Sequence, residues 1–323
     1  MKRATIAAAL AAGVMLAAAA PAVAEWPADK PIRVVVGFGA GGGTDIVARI
    51  VAAPLSELLH QTVVIENKPG AGGAIAGDQV AKADKDGYTA SMISAGHTVS
   101  AVMVKAVRYD AVNDFAAVAL VADGAFVVVA RKDFPANDIK GLVALAKASP
   151  GKLNLASVGL GSTQHFAGEL LSQMTGIDVK HIPYRGTPAV VTALLAQDVD
   201  YAVELLHVVQ GQVQAGQLKL LAVGSPNRWP TIPNVPTVAE SGVPGYSVTT
   251  WYGWVYPAGT PSGIVDKTNA ALKDILARPE IKEQLEKAGA SAHVSTPAEF
   301  GKHIADEVAK WHAVRDKAGL TPQ

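Results

Sequence analysis

A glycine-rich segment between a predicted strand and a predicted helix carries the clearest chemical signal in this chain. Residues 32–45 read IRVVVGFGAGGGTD, in which a β-branched run predicts a buried parallel strand and Thr44 and Asp45 open an apolar-periodic helix. Backbone N–H groups at a helix start have no partner within the helix, and the helix dipole is positive there. Because glycine lets a ligand approach the main chain closely, the pattern predicts a binding site for an anionic group.

The same glycines also match the letter pattern G-x-G-x-x-G of dinucleotide-binding proteins. Gly37, Gly39 and Gly42 take the glycine positions, and Glu66 ends the next predicted strand at about the distance of a ribose-binding acid. A dinucleotide-dependent dehydrogenase is therefore one alternative to a carrier of small anions.

The N-terminal 24 residues are typical of a secretory signal peptide. Lys2 and Arg3 form its basic start, an alanine-rich apolar stretch follows, and the small residues 22–24 fit a cleavage site that leaves Glu25 first. A membrane anchor is the alternative, which the short apolar stretch and the cleavage triplet disfavour. We therefore expect export to the periplasm. Dinucleotide cofactors are cytoplasmic reagents, so this location weakens the dehydrogenase interpretation.

The composition narrows the possible partners. The chain has no cysteine, which excludes disulfides and thiolate metal sites. Lys plus Arg and Asp plus Glu number 28 each, so no basic surface for nucleic acid or an anionic membrane is indicated. The roughly 300 residues left after cleavage exceed one ordinary hydrophobic core and suggest two domains.

Strand and helix patterns alternate along almost the whole chain, which predicts an α/β fold with mostly parallel sheets. An Asp123-Gly124 pair interrupts one strongly apolar strand, and a proline-rich segment follows residue 224. We expect a discontinuous first lobe (residues 25–122 plus 224–323), a second lobe (residues 123–223) and a hinge near residues 120–126 and 222–228. Ligands of open α/β sheets bind outside the carboxyl ends of strands, where the glycine-rich loops fall.

Eight segments, in order along nearly the whole mature chain, carry a family resemblance. They are WPADKPIRVVVGFGAGGGTDIVAR, VVIENKPGAGG, DGYT, ASPGKLN, GLGSTQHFAGELL, HIPYRGTPAV, IPNVPTVAESGVPGY and WYGWVYPAGTP. In these segments the chain resembles the Bug-type periplasmic solute-binding proteins, the extracytoplasmic receptors of tripartite tricarboxylate transporters. PTVAESG, PAGTP and the first glycine loop are the most specific parts.

The resemblance implies a two-lobed periplasmic-binding-protein fold of the Venus flytrap, type II-like kind, each lobe a mostly parallel sheet flanked by helices. It implies that main-chain amides, small hydroxyls and ordered water hold the carboxylates of a small organic acid in the cleft. The protein would deliver this ligand to the membrane permease subunits of a tripartite transporter. We expect a monomer that uses no cofactor and no metal and binds no nucleic acid.

We expect the ligand to be bound by residues at the starts of helices and the ends of strands in both lobes. They are Phe38, Gly39, Ala40, Gly41, Gly42, Gly43, Thr44, Asp45, Ser94, Ala95, His97, Gly161, Ser162, Thr163, His165, Tyr184, Arg185, Gly186 and Glu204. Arg185 is the best candidate for a bidentate grip on a second carboxylate.

Several of these side chains have a plain structural interpretation as well. Asp45 could contact a ligand or only cap its helix, and His97 could be an ordinary exposed turn histidine. Arg185 could form a surface ion pair instead. Glu204 stands where the resembled pattern usually has an aspartate, so its longer side chain could alter ligand choice. The aromatic residues 251, 252 and 254 favour core packing over a platform for an aromatic ligand.

Two other classes of protein remain as alternatives. A periplasmic ligand sensor would share the fold and present its closed form to a signalling partner. An enzyme is disfavoured, because no nucleophile-elbow pattern occurs and the eight histidines show no H-x-x-x-H spacing. The sequence does not identify the acid: aliphatic, aromatic and amino acids all fit.

Overall fold

The computed structural model describes residues 26–28, 30–159, 162–318 and 321–322, so the predicted signal peptide and its cleavage site lie outside the described residues. The strands are β1 (Ile32–Val36), β2 (Val63–Asn67), β3 (Thr89–Ser94), β4 (Phe115–Arg131), β5 (Asn154–Ser157), β6 (Lys180–Pro183), β7 (Tyr201–Leu205), β8 (Leu218–Val223), β9 (Thr249–Pro257) and β10 (Ala290–Ala292). The helices are α1 (Gly43–Leu59), α2 (Ala74–Ala81), α3 (Ala95–Met103), α4 (Ile139–Ala148), α5 (Thr163–Thr175), α6 (Thr187–Ala196), α7 (Leu206–Gln214), α8 (Ser262–Ala277), α9 (Pro279–Lys287) and α10 (Pro297–Ala318), with a 3₁₀ turn at Ala71–Gly73.

Strand β4 belongs to two sheets at once. Its first part, up to Ala125, pairs with β9, and Phe126 and the residues after it pair with β7 and β8. The first sheet has the order β2-β1-β3-β9-β4-β10, and the second has the order β8-β4-β7-β5-β6. One continuous strand therefore carries the chain from one lobe into the other.

The α/β class is confirmed, but the sheets are mixed rather than mostly parallel. Among the strands of the described residues, parallel pairing joins β1 to β2 and β3, and β5 to β6 and β7. Strand β9 runs antiparallel to β3 and β4, and β4 runs antiparallel to β7, β8 and β10. The physical reason is the connectivity: β4 leaves the first lobe and β9 re-enters it, so these neighbours run in opposite directions.

The predicted break at Asp123-Gly124 is wrong, because β4 runs through both residues. Asp123 pairs with Trp251 and Gly124 with Thr250 in an unbroken ladder, and the irregularities lie earlier, on either side of Ala119. Pairing with β9 satisfies the backbone there, so tertiary context overrides the weak strand propensity of aspartate and glycine.

The core lies on both faces of each sheet. Along β4, Phe126 and Val128 enter one buried cluster while Val127 and Val129 enter another, the two-residue alternation of a strand covered on both sides. Helix α10 spans both lobes, since Phe300 packs in a first-lobe cluster and Trp311 in a cluster formed mainly by the second lobe. Across the described residues, no helix is both long enough and apolar enough to span a bilayer.

Candidate functional site

A cavity of about 600 Å³ opens between the two sheets, at the carboxyl ends of β1, β2, β3, β5, β6 and β7. This volume is within the range of small-molecule sites. The lining residues are Gly37, Phe38, Gly39, Ala40, Gly42, Gly43, Thr44, Pro69, Gly70, Ala71, Gly72, Gly73, Ser94, Phe126, Val158, Gly159, Thr163, Gln164, Tyr184, Arg185, Gly186, Thr187, Pro188, Ala189, Leu205, Thr250 and Tyr252. Both lobes and the strands that join them contribute to the wall.

Three helices begin at this cavity. Gly43, Thr163 and Thr187 are the first residues of α1, α5 and α6, and all three line the wall. Among the described residues, the backbone N–H groups of Gly43, Thr44 and Thr187 have no hydrogen-bond partner. Free amides and positive dipole ends from both lobes thus meet one space, which suits an anion.

Asp45 organises the loop before α1 and does not line the cavity. Its carboxylate is almost fully buried and accepts hydrogen bonds from Gly41 N at 2.9 Å, Arg49 Nε at 3.0 Å and Asn67 Nδ2 at 3.0 Å. Asn67 Nδ2 also donates to the carbonyl oxygen of Phe38 at 2.9 Å. Burial acts to raise the pKa of Asp45, but the donors at Arg49, Gly41 and Asn67 outweigh it and lower the pKa. The predicted ligand contact is therefore replaced by a structural role.

The amides of the first glycine loop divide into two groups. Gly41 N–H is used by Asp45, and Gly42 N–H donates to the carbonyl oxygen of Gly39 at 3.2 Å. Gly41 has a positive φ of 77° and is not among the lining residues. The amides of Gly39, Ala40, Gly43 and Thr44 have no hydrogen-bond partner among the described residues, so the free donors lie in the loop as well as at the helix start.

A second glycine loop, residues 69–73, lines the cavity beside the first. It follows β2, and the hydroxyl of Ser100 donates to the carbonyl oxygen of Gly72 at 2.8 Å. A Cβ at Gly37 would lie 2.7 Å from the Cα of Gly73, so Gly37 allows the two loops to pack together. The prediction of site residues missed this loop, although its glycines after a predicted strand were the same signal that identified the first loop.

Arg185 supplies the positive charge of the second-lobe wall of the cavity. It follows β6, is exposed, and is the one cationic side chain among the described lining residues, none of which is acidic. It has no ion-pair partner within the described chain, contrary to the alternative of a surface ion pair. Tyr184 and Gly186 line the wall on either side of it, with Gly186 at a φ of 107° as the N-cap of α6.

His97 lies in the core rather than in the cavity wall. Its Nε2 is 2.9 Å from the carbonyl oxygen of Ala111, which fixes the proton on Nε2, and its ring stacks on Tyr109 at 5.4 Å. Burial lowers the pKa of His97 to about 4, so the ring is neutral at physiological pH. His97 is not among the lining residues of the main cavity, so the structure does not support its predicted contact with a carboxylate there. Ser94 lines the cavity, whereas the neighbouring Ala95 is buried beneath it.

At the start of α5 only part of the prediction matches the wall. Thr163 lines the cavity, while Gly161 lies outside the described residues. Ser162 is buried as the N-cap: its hydroxyl donates to the carbonyl oxygen of Gly159 at 2.8 Å and accepts from His165 N at 3.1 Å. That hydroxyl is therefore committed to the helix start. His165 is also buried away from the wall.

A cluster of possible metal ligands lies behind α5. His165, Glu169 and His181 place donor atoms within 4.8 Å of one another. However, the two imidazole rings stack at 4.3 Å with only 20° between their planes. Because a histidine nitrogen binds a metal in the plane of its ring, near-parallel rings do not aim at one ion. The arrangement therefore fits ring packing better than metal ligation.

Glu204 is fully buried under the cavity wall and is not among the lining residues. Of the three aromatic residues that the sequence assigned to packing, Trp251 and Trp254 lie in the core, but Tyr252 lines the cavity. The predicted direct contact of Glu204 with a ligand is therefore wrong for this structure. Its neighbours Leu205 and Tyr252 form the wall in its place.

The dinucleotide alternative lacks its acidic residue. Glu66, which that interpretation assigns to a ribose, is not among the lining residues and forms ion pairs with Arg33 at 3.5 Å and Lys68 at 3.1 Å. The first glycine loop therefore lacks the ribose contact that a dinucleotide-binding fold uses.

Comparison with known proteins identifies closely similar chains. A family model described as tripartite tricarboxylate transporter family receptor matches residues 47–320. The structure of the periplasmic binding protein BugD is 36% identical with a TM-score of 0.86, over 92% of this chain and 100% of that one. R. palustris Rpa4515 with adipate is 33% identical with a TM-score of 0.88, over 93% and 100%. MatC (Rpa3494) from Rhodopseudomonas palustris with bound malate is 32% identical with a TM-score of 0.84, over 88% and 98%. The predicted two-lobed periplasmic-binding-protein fold is thereby confirmed.

Proposed function

Because this chain belongs to the tripartite tricarboxylate transporter receptor family, we propose that it is a periplasmic receptor that captures a small organic acid and delivers it to a tripartite membrane transporter. The family consists of solute-binding receptors and not of enzymes, so the ligand is bound without being transformed. The signal peptide predicted for residues 1–24 would direct the export that this role requires.

The convergence of helix starts from both lobes on one cavity is the observation that carries the proposal. The amides of Gly43 and Thr44 in the first lobe and of Thr187 in the second have no partner among the described residues, and Arg185 adds the charge. A carboxylate satisfies such donors without a metal or another cation, and it is the group that the ligands of two similar structures, adipate and malate, carry.

Two of the similar structures hold acids with two carboxyl groups, adipate and malate. In this chain the free amides at Gly43 and Thr44 lie in one lobe and Arg185 in the other. We infer that one carboxylate docks on the start of α1 and that a second carboxylate is held by Arg185 when the lobes close. The ligand drives closure only through its greater affinity for the closed form.

The hinge proposed for this movement is where the lobes exchange strands. Pairing of β4 switches from β9 to β7 between Ala125 and Phe126, and Gly224 N–H donates to the carbonyl oxygen of Phe126 at 2.7 Å. This exchange of pairing partners supports the proposed hinge near residues 120–126 and 222–228. The receptor is proposed to act as a monomer that meets the permease subunits in its closed form.

A screen of organic acids by thermal shift tests the proposal, since a ligand that binds only the folded protein raises its melting temperature. We expect at least one mono-, di- or tricarboxylate to raise it, and calorimetry to give one site per chain. Sugars and amines of similar size serve as controls. A chain stabilised by these controls and by no acid would contradict the proposal.

A periplasmic sensor is the second candidate, because it would use the same cavity and the same closure. A permease operon beside the gene would favour uptake, and a sensor kinase alone would favour signalling. Uptake of the labelled acid by a deletion strain whose transporter genes are expressed constitutively separates the two roles, since a sensor is then dispensable and a receptor is not.

A further inference from the structure

A buried acid lies directly beneath the cavity. Glu204, near the end of β7, is 0% exposed, and residues that touch it or follow it in the chain form the wall above it. Leu205 is one of these residues, and Thr187 at the start of α6 is another. A buried carboxyl group thus lies directly behind the second-lobe wall of the cavity.

Only one oxygen of this carboxyl group is satisfied. Oε2 accepts hydrogen bonds from Leu205 N at 2.9 Å and from Thr187 Oγ1 at 3.5 Å. Oε1 has no hydrogen-bond partner among the described residues, and neither does the buried hydroxyl of Tyr252, a lining residue of β9. No cation of the described chain pairs with Glu204. An orphaned acceptor and an orphaned donor therefore lie at the floor of an anion cavity, which is costly unless a proton or ligand satisfies them.

The titratable surroundings of Glu204 are few. Tyr252 faces it from β9. The side chains of Tyr252 and His207 of α7 both pack against Gly43, since each would lie within 2.6 Å of a Cβ at that residue. Burial lowers the pKa of His207 to about 4, so this ring is neutral. From α5 and α6 the facing groups are the uncharged Gln164 and Thr187. Arg185 lies on the cavity side of the wall.

These surroundings favour the protonated acid. Burial raises the pKa of Glu204 to about 7, opposed by the hydrogen bonds from Leu205 and Thr187 and by the nearby amide of Gln164. A carboxylate bound on the other side of the wall adds a second negative charge in a region of low dielectric constant, and the two charges repel. Protonation of Oε1 removes this repulsion and converts an orphaned acceptor into a donor.

We propose that Glu204 is a proton-linked positioning residue for the ligand: binding of an organic anion is coupled to uptake of one proton by this carboxyl group. The proton comes from solvent and bonds to a carboxylate oxygen of Glu204, while no bond of the ligand changes. The inference rests on the proposed function, because it requires an anionic ligand in the cavity. It predicts that affinity falls as pH rises above 7, by up to about tenfold per pH unit, although the acid itself stays fully ionised.

Calorimetry at one pH in buffers of different ionisation enthalpy measures the proton directly. At pH 8, with malate, adipate and the acids of the thermal-shift screen as probes, the wild-type protein is expected to take up between half a proton and one proton per ligand. Glu204→Gln is expected to take up none and to bind with an affinity that does not change between pH 7 and 9. Glu169→Gln removes another partly buried acid of the same lobe and is expected to keep the uptake.

The possible results separate the two proposals. Binding without proton uptake by the wild-type protein, or equal uptake by Glu204→Gln, overturns the inference and leaves the receptor function standing. Failure of every acid to bind overturns both. If Glu204→Gln does not fold, infrared difference spectra of the wild-type protein decide the question: ligand binding must create the carbonyl band of a protonated carboxyl group, and its absence refutes the inference.

Discussion

The backbone N–H of Gly41 donates a hydrogen bond to Oδ2 of Asp45, four residues later, at 2.9 Å. A side chain in the first turn of α1 thus holds the loop that precedes the helix. Its other oxygen accepts from Asn67 at the end of β2, so the same carboxylate ties the loop to the sheet. This network fixes the segment directly before Gly43 and Thr44, two lining residues of the cavity whose amides are free.

Replacement of Asp45 by asparagine tests this network. The amide keeps one acceptor but loses the charge that pairs with Arg49, so we expect a loss of about 1–3 kcal/mol in unfolding free energy at pH 7. The pKa of Asp45 is lowered by folding, so its contribution is present above the unfolded value of 3.8 and is lost as pH falls through the lower folded value. Urea denaturation at pH 7 and below pH 4 should therefore show a difference that shrinks in acid.

Asp306→Asn is the matched control for this experiment. Asp306 also pairs with a basic residue four positions away, Lys302, but both side chains are exposed. We expect at most about 0.5 kcal/mol from this variant. Equal effects of the two variants would show that Asp45 is only another helix ion pair.

Gly43→Ala is expected to hold the lobes apart. A Cβ at this position would lie 2.5 Å from the Tyr252 hydroxyl and 2.7 Å from Leu205 Cδ1, so the two walls of the cavity must shift. We expect at least tenfold weaker binding of the acid found in the screen and a stability loss of about 1–3 kcal/mol. Isothermal calorimetry and chemical denaturation measure the two effects.

Gly39→Ala is the control for stability in the same loop, because no protein atom lies within 4 Å of its Cβ position. Helix propensity alone makes the opposite prediction for Gly43, since alanine is the better helix former. A Gly43→Ala protein that is more stable than the wild type and binds the acid as tightly as the wild type does would contradict the packing described above.

Arg185→Gln is expected to weaken binding of dicarboxylates by about 10- to 100-fold, the effect of losing one charged hydrogen-bonding group. Arg185→Lys should recover part of the affinity, because an ammonium keeps the charge but not the bidentate fork. Arg228→Gln removes a surface ion pair with Glu240 and serves as the control with unchanged affinity. Melting temperatures of all three variants should stay near that of the wild type, and unaltered calorimetric affinity of Arg185→Gln would exclude Arg185 from the site.

Burial of Glu204 should make the stability of the unliganded protein depend on pH. The pKa of Glu204 is about 7 when folded and 4.5 when exposed, so between these values the folded chain holds a proton that the unfolded chain has released. The stabilisation is complete below pH 4.5 and is lost as pH rises through 7, by up to about 1.4 kcal/mol per pH unit. Denaturation from pH 5 to 8 should show this slope in the wild-type protein and a flatter one in Glu204→Gln. Identical slopes would mean that Glu204 does not titrate there.

His97 should affect acid stability but not ligand binding. Its pKa is about 4 when folded and 6.5 when exposed, so its contribution is complete above pH 6.5 and is lost as pH falls towards 4. Gln at position 97 can still donate to the Ala111 carbonyl oxygen but does not titrate. The His97→Gln protein should therefore lose less stability than the wild type as pH falls from 6.5 to 4. Calorimetric affinity for the acid should stay within about twofold, and a larger loss would return His97 to the binding site.

The wall of the cavity was only partly predictable. Residues of the first glycine loop and Arg185 were identified because glycines and a charge after a strand pattern are local signals. Thr187 was missed, although Gly186 and Pro188 mark its helix start, because only the folded chain shows that its amide has no partner and that the residue lines the cavity. Tyr252 was assigned to packing for a similar reason: whether an aromatic residue packs or lines a wall depends on what lies opposite it.

The sequence alone determined where strands turn into helices, since the β-branched run, the glycines and Thr44 and Asp45 act over a few residues. Only the tertiary structure decided which polar groups remain available to a ligand. The carboxylate of Asp45 accepts the hydrogen bond of the Gly41 amide and a second one from Asn67, so the Gly41 amide is not available. Segments far away in the chain bury His97 and Glu204. Hydrogen-bond partners and desolvation are properties of the folded chain as a whole, so no local pattern encodes them.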